Sequence, residues 1–169
     1  MKGWEPYKKF QFKKDKFVIW RNLSDHPYGV GWITMDMNGQ RIKPWNYLGS
    51  RKIFKIKDTI FKVAIDKHDL MQNACESSKL MNIEKKDKKY FPQLLRCTND
   101  GKVLIVKYIK RSWRKRTKSQ QSIVAKLIKK YEIGDISSWY SPHKYSNWMI
   151  SASGDPIILD IGTDINQRI

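Results

Sequence analysis

The chain has 169 residues and a formal net charge of +18, with 34 lysines and arginines against 16 aspartates and glutamates; 40% of its residues are hydrophobic, seven Trp and eight Tyr among them. That much apolar and aromatic side chain builds a packed core, which excludes disorder as the overall state. No aliphatic run is long enough to cross a bilayer, and "MKGWEPYKKFQF" has no apolar leader, so a cytoplasmic protein is expected.

Residues 1–47 alternate aromatics with lysines in "YKKFQFKKDKFVIW" and continue into "PYGVGWITMDMNGQRIKPW", where Asn-Gly between apolar alternations signals a hairpin. An antiparallel β segment is expected here. "RKIFKIKDTIFKVAI" repeats the pattern, with a turn at Lys57-Asp58 between two apolar runs. The first helix is expected in "DLMQNACESSKLMNI". Asp69 and Gln72 are read as a capping box, with Leu70, Ala74, Ser77 and Met81 on one face. Two apolar runs in "QLLRCTNDGKVLIVKYIK" meet at Asn99-Asp100-Gly101, another hairpin. A second helix is expected in "SIVAKLIKKY", capped by Ser122, with Ile123, Val124, Leu127, Ile128 and Tyr131 facing inward. "NWMISASGDPIILDIG" closes the series as two short strands around a Ser-Gly-Asp-Pro turn.

Charge is unevenly spread. Between Asp100 and Glu132 there is no carboxylate, yet eleven lysines and arginines fall there, while residues 131–169 carry five carboxylates against Lys144 and Arg168. A basic body with an acidic end attracts nucleic acid, an acidic protein or nucleotide phosphates. The segment "KRSWRKRTK", residues 110–118, mixes arginines with Trp113 as nucleic-acid-binding segments do, and reads equally as a solvated linker. Cys75 and Cys97 lack CxxC spacing and fit two half-buried reduced thiols. His26, His68 and His143 are scattered, without the pairing that a triad or metal cluster needs.

The order hairpin, helix, hairpin, helix, loop, hairpin, with the residues at its joints, resembles the protein-kinase-like fold, specifically the small truncated kinase-like proteins of bacteria and phages. The resemblance spans Leu48 to Gly162. It implies an α+β fold in which residues 48–111 form a β-rich N-lobe with one helix and residues 112–169 a severely truncated C-lobe. Residues 1–47 would be an extension packed on the lobe. In that family a strand lysine, held by a glutamate on the next helix, meets the ATP phosphates, and a D…N loop and a D-x-G turn supply base and metal ligands. By resemblance these roles fall to Lys62 in "IFKVAI", Glu76 in "QNACES", Asp135 in "EIGDI", Asn147 in "YSNWMI", and Asp160 before Gly162 in "PIILDIG". Gly49 is what is left of the glycine-rich loop. ATP and Mg²⁺ are the implied cofactors: Asp160 and Asn147 on the metal, Asp135 as base, Lys62 neutralising phosphate charge.

Each residue also has an ordinary reading. Lys62 alone is a solvated strand lysine, Glu76 an exposed helix carboxylate, Asp135 a turn former after Gly134, and Asp160 a strand-end cap. The chain departs from the family as well. A kinase catalytic loop sets Asp and Asn about five residues apart, whereas positions 135 and 147 are twelve apart, so either "SSWYSPHKYS" contains an insertion of about seven residues or a residue other than Asp135 is the base. Nine residues follow Asp160, so no activation segment is expected. The implied function is ATP/Mg²⁺ binding with Ser/Thr phosphotransfer to a partner docked on the basic surface, in a bacterial or phage-infected cytoplasm. The alternative is an inactive pseudokinase serving as a binding module for an acidic host protein or nucleic acid.

Overall fold

The computed structural model describes residues 3–22, 32–45, 51–134 and 147–161. Aromatics and aliphatics at alternate positions build a first antiparallel sheet from β1 (Trp4–Phe12), β2 (Asp15–Asn22), β3 (Trp32–Met37) and β4 (Gln40–Ile42), neighbours in chain order. Phe17 and Ile19 of β2 and Ile33 and Met35 of β3 point to one buried face, as period-two patterning requires. The expected Asn-Gly hairpin joins β3 to β4: Asn38 and Gly39 both adopt positive φ, 51° and 84°, the two-residue turn whose twist suits a hairpin. Pro6 sits on the outer strand β1, where the register slips between Pro6 and Lys8. An edge tolerates a residue with no N–H to donate.

The second sheet starts with the hairpin of β5 (Lys52–Ile56) and β6 (Thr59–Val63), turned at Lys57 with φ 51°. Helix α1 (Lys67–Asn82) follows, then the hairpin of β7 (Leu94–Cys97) and β8 (Val103–Lys107), giving the order β5-β6-β8-β7. Every residue of β6 is buried, because the sheet is covered on both faces. Phe54, Phe61, Val63, Val103 and Ile105 pack against the first sheet, where the Phe17 and Phe61 rings lie 5.1 Å apart. Ile60, Leu104 and Val106 face the opposite way, into a second core shared with both helices and the last strands.

Helix α1 differs from expectation at its start and in its face. Asp66, not Asp69, is the cap: its side chain accepts from Asp69 N, while Asp69 is buried in the first turn and accepts from Ile65 N. The inward stripe is Asp69, Asn73, Glu76, Ser77 and Leu80, whereas Ala74 is exposed and Met81 is 63% exposed. The expectation followed apolar residues, but the helix turns a polar stripe toward the sheet because that stripe finds hydrogen-bond partners there.

Beyond β8, the two-residue strand β9 (Arg111–Ser112) lies inside the basic segment that reads as a linker, and it precedes α2 (Lys118–Lys130). The cap of α2 is Thr117, not Ser122, in a reciprocal capping box with Gln120. Its inward Val124, Leu127 and Ile128 agree with the expected face. Finally β10 (Trp148–Ser151) and β11 (Pro156–Ile158) form the expected hairpin, and a third sheet runs β11-β10-β9. The described residues thus form an α+β fold of two helices and three antiparallel sheets. Cys75 and Cys97 are free thiols, each half-buried. No helix among the described residues is long and apolar enough to cross a membrane.

Candidate functional site

Lys62 lies on the β6 face turned toward α1, and Glu76 is two turns into the polar stripe of that helix. Their side chains meet at 2.6 Å, with Lys62 and Glu76 only 8% and 1% exposed. A buried carboxylate is costly unless cations and donors satisfy it. Here a second cation completes the set: Arg51, one residue before β5, donates Nη1 to Glu76 Oε2 at 2.7 Å and also to Asn73 Oδ1 at 3.1 Å.

The end of β11 comes to the same place. Arg51 donates Nη2 to Asp160 Oδ2 at 2.7 Å, and Lys62 donates to the Leu159 carbonyl at 3.0 Å. Asn73 anchors the cluster from α1 by donating to the carbonyls of Lys62, 3.3 Å, and Gly101, 2.8 Å. Two cations and two carboxylates balance within one network spanning β5, β6, α1 and β11. Burial alone would push the Arg51 guanidinium down, but Glu76 and Asp160 outweigh it and hold the group above its ordinary value.

Lys62, Glu76 and Asp160, named from sequence, are therefore brought together across the whole chain. Asn147 stands just before β10, and its carbonyl accepts from Leu159 N at 2.7 Å, which sets it beside the end of β11. Asp135, Gly49 and Gly162 lie outside the described residues.

Sequence reading missed Arg51 and Asn73. Nothing local marks Arg51 among 34 lysines and arginines. Asn73 had a signal, since positions 69, 73, 76, 77 and 80 fall on one helical stripe.

Chemically, the site offers an ammonium held by a buried carboxylate and, on its rim, a carboxylate that is 38% exposed. Two of the three N–H donors of Lys62 go to Glu76 and Leu159. Carboxylate and amide oxygens suit Mg²⁺, and the backbone bond from Leu159 to Asn147 brings the two chain segments that carry Asp160 and Asn147 together. Any such ion competes with Arg51 for Asp160. Asp66, His68 and Asp69 also bring ligand atoms within 4.8 Å of one another at the start of α1. The two carboxylates there take backbone N–H groups, so helix capping accounts for the gathering. No known protein family, curated protein or solved structure matches this chain.

Proposed function

We propose that the Lys62 cluster is the nucleotide site of a protein-kinase-like module that binds ATP with Mg²⁺ and transfers phosphate to Ser or Thr of a docked partner. The observation that carries this reading is the 2.6 Å contact between a lysine on a central strand and a glutamate on the following helix, with Asp160 joined to the same glutamate through Arg51. A strand lysine so held has a fixed position, and a fixed cation stabilises phosphate charge without reorganising. Asp160 and Asn147 would hold Mg²⁺, and Asp135 would accept the proton of the attacking hydroxyl. The metal's part is to neutralise phosphate oxygens while transfer proceeds. The partner would dock on the basic segment 110–118, where Trp113 is 82% exposed and Arg111 stacks 4.7 Å from its ring centre.

A second reading rests on Arg51. With both Glu76 and Asp160 bonded to its guanidinium, the carboxylates already have a resident cation, which suits a binding module whose site is structural. Thermal melting with and without millimolar Mg-ATP separates the two. Ligand that binds the folded state alone stabilises it by about 2.7 kcal/mol at a hundredfold excess over Kd. A rise in Tm that Asp160→Asn removes supports the nucleotide site; superimposable curves sink it and leave the binding module.

A further inference from the structure

A second charged feature lies away from the Lys62 cluster, where the outer strand of the first sheet meets the outer strand of the second. There, β1 and β7 border a groove of about 520 Å³. Lys8, Lys9 and Lys13 line it from β1 and the turn after it, and Arg96 lines it from β7. Among the described residues no carboxylate lines it. Its other polar groups are the amides and hydroxyl of Gln11, Asn99 and Thr98. Asp100 stands beside the groove and is engaged by Lys8 at 2.7 Å and by the Thr98 hydroxyl at 2.8 Å. Lys9, Lys13 and Arg96 are exposed.

The groove is built rather than incidental. Arg96 Nη1 donates to the Gln11 carbonyl at 2.7 Å, tying β7 to β1, and this uses one of the five N–H groups of its guanidinium. Lys8 ties the same two sheets through Asp100. Lys8, Lys9 and Arg96 are therefore mounted on paired backbones, and Lys13 on the turn that joins β1 to β2. Four cations around one groove with no carboxylate in its lining concentrate positive charge along this edge, which complements a chain of phosphates.

We propose that this groove binds a nucleic-acid strand by its phosphates, without reading base identity. One observation favours nucleic acid over an acidic protein. Protein interfaces are centred on apolar and aromatic anchors, and the one aromatic lining this groove, Phe10, is stacked inward on Phe17 at 5.0 Å, interplanar angle 11°. Nor is an aromatic platform presented for bases, so phosphate contacts alone provide affinity. The excess of cations over the whole chain, 34 against 16, would steer a polyanion to it.

The test is fluorescence anisotropy of a labelled mixed-sequence single-stranded oligonucleotide across a salt series starting near 50 mM, where phosphate contacts are strong. The variant Lys9→Glu/Lys13→Glu/Arg96→Glu should weaken binding at least tenfold and lower the slope of log affinity against log salt by about 2, at about 0.7 per lost contact. Lys9→Glu/Lys13→Glu, which leaves the Arg96 tie to Gln11 intact, should give about two thirds of that slope change, so a folding defect cannot mimic the result. Arg111→Glu/Arg114→Glu/Lys115→Glu makes the same charge change on the other basic segment and should leave most of the affinity. Equal losses from both triple variants, no binding near 50 mM salt, or tighter binding of polyglutamate than of the oligonucleotide would each overturn the proposal.

Discussion

Arg51 and Asp160 meet at 2.7 Å although 109 positions separate them in the chain. The same guanidinium holds Glu76, so one side chain joins the start of the second sheet, the helix that crosses it, and the end of the last strand. Removing it leaves Glu76, only 1% exposed, with one carboxylate oxygen unpaired and Lys62 as its remaining cation. Leaving a buried charge uncompensated costs about 3–5 kcal/mol; because Lys62 still meets Glu76, Arg51→Met should lose stability in urea unfolding by less than that full amount. Arg51→Met/Glu76→Gln removes one charge of each sign and should cost less than the sum of the two single variants. Additivity within error would mean that the two groups are not coupled.

If the nucleotide reading holds, Asp135→Ala should abolish phosphotransfer and keep the Mg-ATP rise in Tm. The base acts on the attacking hydroxyl and contributes little to the bound ground state. Autophosphorylation assayed beside thermal melting checks this. Full activity in Asp135→Ala would assign the base elsewhere.

Acid should loosen the joint between α2 and the loop after α1. Lys130 reaches Glu84 at 2.6 Å and Asp87 at 2.8 Å, and the Tyr131 hydroxyl donates to Asp87 at 2.8 Å. Hydrogen bonds from Lys130 and Lys86 hold Glu84 below the usual carboxylate range, and those from Lys130 and Tyr131 do the same for Asp87. A carboxylate whose pKa is lower folded than unfolded contributes stability that is present above its unfolded value, about 4, and is lost as pH falls through its folded value. Lys130 is raised by the same partners, so its share holds at neutral pH and is lost only in strong alkali. The Tm gap between the parent chain and Asp87→Asn should be open at pH 7 and close toward pH 3. A gap that stays constant would exclude this ionic origin.

The hairpins were legible because their turns carry a local chemical signature. Asn38-Gly39, Lys57 and Gly101 all adopt positive φ, and such residues punctuate apolar alternation visibly. The pairing of Lys62 with Glu76 was legible only through a resemblance, since neither residue stands out by itself. Arg51 was not legible, because its importance comes from partners 25 and 109 positions away. Strand β9 was hidden for the opposite reason: two residues of a basic run become a strand only because β10 offers an edge. The start of α2 was misjudged because apolar periodicity begins several residues after the cap, and Thr117 with Gln120 is the true signal.

The face of α1 gives the sharpest test, because two adjacent side chains have opposite surroundings. Leu80 is 6% exposed and packs with Ile60, Leu104 and Leu127 in the second core, while Met81 is 63% exposed. Leu80→Ala removes buried methyl groups and leaves space that a close-packed interior does not fully refill, at a cost of about 2–5 kcal/mol. Met81→Ala exchanges one good helix former for a better one and should fall within about 0.5 kcal/mol of the parent. Urea unfolding of both variants measures the difference directly. The apolar face read from sequence ran through Met81, so it predicts a large loss there. Should Met81→Ala prove as costly as Leu80→Ala, α1 would have to be rotated about its axis, and Glu76 would then turn away from Lys62 and Arg51.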